Sequence, residues 1–167
     1  VVPVPLNYRL APPEWAYIVN DSQSNMLLSS AEYREGIDGI RGELETVNRY
    51  ISMDGDFTSG WDDFRAWVDG QPDSRTDRNV NEDDDIYQMY TSGTTGRPKG
   101  AVLTHQAVTS NVTQVSQIVA IDSGDRDLII APMYHAAAAL TSFAVISMGG
   151  TLVIHEDFIP PDVVNAL

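Results

Sequence analysis

The run at residues 90–100, YTSGTTGRPKG, constrains this chain more than any other stretch. Gly93, Gly96 and Gly100 admit backbone conformations closed to other residues and leave no side chain between the amides and a ligand. Thr91, Ser92, Thr94 and Thr95 place four hydroxyl donors in five positions, and Arg97 and Lys99 add positive charge. Dense donors with local positive potential suit a polyphosphate. The nucleoside-triphosphatase loop is excluded, because it needs G-x-x-x-x-G-K followed by Ser or Thr, and Lys99 here follows Pro98 and precedes Gly100. The dinucleotide fingerprint G-x-G-x-x-G is excluded by the glycine spacing. A hydroxyl-rich surface hairpin is the purely structural alternative, and the concentration of hydroxyls, glycines and the lone lysine argues against it.

Charge sharpens this picture. The 167 residues carry 24 acids against 10 bases, a formal net charge of -14. Residues 1–85 hold 18 acids and 7 arginines, and residues 86–167 hold 6 acids and 3 bases, so the acidity lies mostly ahead of the loop. Nucleic acid and anionic membranes are disfavoured as partners, since both rely on positive patches. Lys99 is the only lysine, a compact point charge in a chain that otherwise uses arginine. The acidic balance is also what a salt-tolerant source produces.

No apolar stretch approaches a membrane span, and the first residues, VVPVPLNYRL, do not read as a signal peptide. With zero cysteines, disulfides and thiolate zinc sites are excluded, and the three histidines have no metal-ligand spacing. The expected compartment is the cytoplasm; self-association is left open. A start at Val1 and an end soon after Pro160 and Pro161 suggest a piece cut from a longer protein.

Patterning predicts an extended start over 1–4, a helix over 13–22, and a strand over 26–29. Residues 31–42 are expected to be weakly helical at best, because Gly36 and Gly39 interrupt them. A strand over 46–53, closed by a turn at Asp54-Gly55, and a short helix around Trp61 to Val68 follow, then an exposed connection over 71–85. The second half reads as strands over 85–90 and 101–103 and a helix over 105–120 capped by Thr104. Val108, Val112, Val115 and Val119 form the face of that helix expected to meet a sheet. A strand over 128–131, an apolar helix over 136–148 stopped by Gly149-Gly150, and a strand over 151–155 complete the pattern. Alternating strands and helices predict an α/β fold, a mainly parallel sheet flanked by helices.

These residues closely resemble the adenylate-forming superfamily, which comprises acyl-CoA synthetases, peptide-synthetase adenylation domains and beetle luciferases. YTSGTTGRPKG is similar to its phosphate-loop signature; VPLNYRL, AVLTHQAV, APMYH and GGTLVIHEDFIP resemble further family segments in order and spacing. The resemblance is weakest from Glu32 to Asp85 and places residues 1–167 within one large N-terminal AMP-binding domain, without the small C-terminal domain.

The resemblance implies activation of a carboxylic acid by ATP to an acyl-adenylate, then transfer to a thiol. It implies ATP, Mg²⁺ and coenzyme A as cofactors and a fatty or aryl acid as substrate. Thr91, Ser92, Gly93, Thr94, Thr95, Gly96 and Lys99 would hold the β- and γ-phosphates, Tyr134 and His135 would line the acyl or thiol pocket, and Lys99 and His135 would act in catalysis. On residue type alone His135 reads as a helix-capping histidine, His105 and His155 as structural, Trp15, Trp61 and Trp67 as packing, and Arg97 as solvent-facing. Ala136 to Ala139 either leave room beside a pocket or pack a helix against a sheet. The magnesium-assisting acid and the second, adenylation lysine are absent, so these residues alone are expected to be inactive. Three readings stay open: an AMP-forming acid:CoA ligase, another adenylate-forming enzyme acting on amino acids or a luciferin-like acid, and a nucleotide-binding or structural piece without chemistry.

Overall fold

The computed structural model describes residues 1–54, 60–91 and 96–166, which divide into two compact units. The first comprises Leu6–Asn79 with Tyr90–Gly100; the second comprises Val1–Pro5, Val80–Met89 and Ala101–Leu167.

Helix α1 (Pro12–Asp21) organises the first unit. Pro12 occupies its first turn, where a missing N–H costs nothing, and the Glu14 carboxylate accepts the Ala11 N–H at 2.9 Å. Trp15, Ala16, Ile18 and Val19 form its buried stripe. The helix stops through paired bonds, Gln23 N–H to Asn20 C=O and Ser24 N–H to Val19 C=O, each 3.0 Å. Gln23 sits at φ +53°, in the left-handed region that usually takes glycine.

Strand β1 (Met26–Ser29), helix α2 (Arg34–Ile40) and strand β2 (Arg49–Ser52) form a parallel β-α-β unit, with Met26 opposite Arg49 and Ser29 opposite Ser52. Strand β3 (Asp62–Asp63) adds parallel to β2, and helix α3 (Phe64–Asp69) follows, begun by the Asp63 side chain accepting from Arg65 N–H. Residues 31–43 are more helical than the sequence predicts: α2 is flanked by 3₁₀ turns over Ala31–Tyr33 and Arg41–Glu43. The reason is packing. A Cβ on Gly36 would stand 3.1 Å from the Trp15 ring, so this glycine lets α2 lie close on α1 instead of breaking the helix. Trp15, Val19, Leu27, Ile37, Ile40, Leu44 and Trp61 make the core. Trp61 precedes α3 and does not belong to its apolar side; its indole N–H donates to Asp38, which also pairs with Arg41 at 2.8 Å. Gly55 of the expected turn lies outside the described residues.

In the second unit and its loop-side extension, strands β4 (Asp85–Thr91) and β5 (Lys99–Thr104) pair as a two-stranded sheet. Helix α4 (His105–Ile118) follows, with Thr104 Oγ1 accepting the Ala107 N–H at 3.3 Å. Its first amides are also held: His105 N–H donates to Asp84 C=O and Gln106 N–H to Glu82 C=O, both at 2.9 Å. Strand β6 (Arg126–Ile129), helix α5 (Ala136–Ser147) and strand β7 (Thr151–Ile154) form a second parallel β-α-β unit, with Arg126 opposite Thr151, and helix α6 (Pro160–Ala166) closes the chain. Helix α5 ends at Gly149, φ +80°, through the same paired bonds as α1. Residues 1–4 form no strand; the Pro3 carbonyl accepts from Gln88 N–H at 3.1 Å.

The valine face of α4 is only partly covered. Val108 is buried, but Val119 is half exposed and Ile118 is 83% exposed. The helix packs on α5, with Val112 and Val115 half-buried, and its C-terminal end is exposed at Ile118 and Val119. No helix among those residues is long and apolar enough to cross a membrane.

Ile51 is fully buried on β2. Ile51→Ala is expected to lower stability by about 2–5 kcal/mol in urea unfolding, through lost burial and the cavity it leaves. Gln23→Gly should raise stability by up to about 1 kcal/mol by relieving the left-handed residue.

Candidate functional site

Of the expected phosphate-holding residues, Thr91, Gly96 and Lys99 are described, while Ser92, Gly93, Thr94 and Thr95 lie outside the described residues. Thr91 is the exposed last residue of β4, and Lys99 the exposed first residue of β5. Gly96 has φ +99°, with nothing near its Cβ position among the described residues, so a side chain there would be strained by backbone conformation. Lys99 makes no ion pair among the described residues, although the chain carries 24 acids. Its charge is therefore available to an anion.

The loop's flanks are tied to α1. The Tyr90 hydroxyl donates to Asp21 Oδ2 at 2.6 Å, and the Tyr17 hydroxyl donates to Pro98 C=O at 3.1 Å. The Arg97 guanidinium lies 5.5 Å from the centre of the Tyr17 ring, within cation–π range. Arg97 is thus exposed, as expected, but also engaged. Sequence reasoning passed over Tyr17 and Asp21. Their spacing of four residues puts them on one side of a helix, but nothing local shows that residues some 70–80 positions later will meet that side.

Tyr134 and His135 stand in the turn before α5, in the second unit. Tyr134 is half-buried and His135 exposed, with ring centres 4.6 Å apart. His135 is the N-cap residue by backbone position, but its side chain makes no cap bond; its carbonyl accepts from Ala139 N–H at 3.1 Å. The imidazole is consequently not spent on helix capping. The four alanines divide: Ala138 and Ala139 are buried, with Ala139 against Tyr87 and Met89, while Ala136 and Ala137 are exposed. Trp15 and Trp61 are core, and Trp67 packs beside Phe64. His105 opens α4 through its backbone.

The sequence profile of the family described as AMP-binding enzyme matches residues 1–167, the whole chain. The chain belongs to the AMP-binding enzyme family. A feruloyl-CoA synthase from Amycolatopsis sp is 33% identical over 165 residues, covering 98% of this chain and 30% of that protein. The long-chain-fatty-acid–CoA ligase FadD13 of Mycobacterium tuberculosis is 35% identical over 160 residues, covering 94% of this chain and 30% of the relative. The inhibitor-bound N-terminal domain of FACL13 from Mycobacterium tuberculosis superimposes with a TM-score of 0.83 at 31% identity, covering 98% of this chain and 40% of that one. ATP-bound MatB from Rhodopseudomonas palustris, at 23% identity and a TM-score of 0.81 over 98% of this chain and 32% of its own, shares the fold. This member of the AMP-binding family thus spans about 30% of the length of these curated relatives.

The Tyr90 phenol is held well above its ordinary value of 10.0, first by burial and then by the bond to Asp21 and that carboxylate's charge. A raised phenol favours the folded state fully below pH 10, and this contribution is lost as pH rises from there through the folded value. Alkaline unfolding should therefore steepen above about pH 10, and Tyr90→Phe should flatten that part of the profile when followed by circular dichroism.

Proposed function

We propose that this chain supplies the phosphate-gripping part of an AMP-forming acid:CoA ligase. The observation that carries the reading is Lys99, the only lysine, exposed and without an ion pair among the described residues, within a chain matched throughout by the AMP-binding family. In the whole protein a carboxylate oxygen attacks the α-phosphorus of ATP, the bond from that phosphorus to the bridging oxygen breaks, and pyrophosphate leaves. The thiolate of coenzyme A then attacks the acyl carbon, and AMP leaves with the electron pair of the broken acyl–oxygen bond.

Negative charge gathers on the departing pyrophosphate, so preformed donors aimed there lower the barrier. Thr91, Ser92, Thr94 and Thr95 supply hydroxyls, Gly93 and Gly96 bring amides close, and Lys99 supplies the charge. Among the described residues no group of three or more His, Cys, Asp or Glu could hold a metal ion. Mg²⁺ bound with ATP would neutralise phosphate charge, while Lys99 and the loop hydroxyls would hold the phosphate oxygens. Tyr134 and His135 line the acyl or thiol pocket; an exposed imidazole that makes no cap bond, with the Tyr134 ring tilted beside it, supports that role.

The substrate is a fatty or aryl carboxylic acid, in keeping with relatives named for feruloyl-CoA and long-chain fatty acids. Residues 1–167 form part of one N-terminal AMP-binding domain, an acidic half over 1–85 and a half over 86–167 that carries the loop. The exposed Ile118, Ile154 and Phe158 are surfaces for the remaining length of such a protein to cover. The enzyme acts in the cytoplasm.

The full-length protein should exchange pyrophosphate into ATP only when its acid is supplied. No exchange across a panel of fatty, aryl and amino acids would overturn adenylation, and exchange with amino acids alone would replace the acid class. Lys99→Met should slow the exchange about 10–100-fold, the loss of one charged hydrogen bond, without altering the circular dichroism spectrum.

A further inference from the structure

We propose that Tyr17 and Asp21, one turn apart on α1, are positioning residues that hold both stems of the phosphate loop in register for ATP. The inference rests on the reading that residues 91–99 grip the β- and γ-phosphates, and adds which part of the chain sets their geometry.

Seven residues, 91–97, separate Tyr90 from Pro98. Asp21 accepts the Tyr90 hydroxyl on the incoming side, and Tyr17 donates to the Pro98 carbonyl on the outgoing side. Side chains four apart on a helix emerge roughly 5–6 Å from one another, so α1 sets the spacing between the two ends of the loop. The platform is rigid because Trp15, Ala16, Ile18 and Val19 bury the other side of the same helix. The two stems are then fixed before a ligand arrives, which lowers the ordering cost of binding.

The outgoing tie acts on the lysine directly. The Pro98 carbonyl and the Lys99 amide nitrogen share one planar peptide unit, so fixing that oxygen fixes the direction in which the chain enters Lys99. Arg97 is drawn over the Tyr17 ring. One of the loop's two cations is thereby assigned to the scaffold, and Lys99 remains for the phosphates.

Helix α1 contributes no group to the ligand in this scheme, so its effect should fall on nucleotides that carry the β- and γ-phosphates and spare AMP. Isothermal titration of the full-length protein with ATP and with AMP, in the presence of Mg²⁺, tests this. Tyr17→Phe and Asp21→Ala should each weaken ATP about 5–10-fold, the worth of one lost hydrogen bond, and leave AMP within about twofold. Asp21→Asn, whose amide oxygen still accepts from Tyr90, should lie between wild type and Asp21→Ala. Tyr90→Phe and Tyr17→Phe each remove a single oxygen and keep the test alive if Asp21→Ala fails to fold. ATP weakened by Lys99→Met but not by the α1 variants would overturn the positioning role while keeping the loop reading. Equal loss of ATP and AMP, or a lower melting temperature with ATP affinity intact, would reduce the ties to fold support and also overturn it. ATP affinity indifferent to Lys99→Met would remove the loop reading, and the positioning role with it.

Discussion

The packing of α1 against the first unit's core is the interaction on which the candidate site depends. A helix can bury only one stripe, and here Trp15, Ala16, Ile18 and Val19 occupy it. The polar side, with Tyr17 and Asp21, is left to receive the chain when it returns at Tyr90 and Pro98. The close approach of α2, permitted by Gly36 beside Trp15, completes the burial that keeps this platform in place. The strand pair β4–β5 carries the loop, but the fixed points at its stems are on a helix some seventy residues earlier.

Electrostatics follow a similar division. Most of the 24 acids lie ahead of the loop, and several are spent locally. Asp38 pairs with Arg41, Asp62 with Arg49, and Asp21 takes the Tyr90 hydroxyl. The acidic run 82–84 turns its carbonyls to the first amides of α4, where carboxylates also suit the positive end of a helix. Some arginines of the first unit likewise engage scaffold groups: Arg41 lies 3.9 Å from the Tyr50 ring centre, and Arg97 lies over Tyr17. Lys99 makes no ion pair among the described residues, and a compact ammonium is suited to an anion that arrives from solvent.

Two helices end by the same hydrogen-bond pattern with different residues, and the contrast shows how local chemistry and context trade. Gly149 turns α5 into β7 at no steric cost, whereas Gln23 adopts the left-handed conformation ahead of β1. That strain is tolerated because Asn20, one turn from the stop, bonds Glu43 C=O and Glu45 N–H at 2.8 and 2.9 Å, and Thr46 Oγ1 donates to Ser24 C=O at 2.7 Å. A local cost is offset by bonds to a segment twenty residues away.

Much of the architecture was legible in the chain itself. Period-two and period-3.6 patterns place α1, β1, α4, α5 and β7 to within a few residues, and Thr104 is the cap its chemistry predicts. The run over 90–100 points to phosphate, because glycines, hydroxyls and a lone lysine are local properties that need no partner to be recognised. Tertiary structure decided the rest. It made residues 31–43 helical against their glycines, since closeness to Trp15 outweighs helix propensity. It left Ile118 and Val119 at the end of α4 exposed, since periodicity names a face but not what covers it. It also chose Tyr17 and Asp21 as anchors, through hydrogen bonds between groups far apart in sequence. Composition and spacing are written along the chain, but a long-range contact exists only once burial has fixed where each surface points.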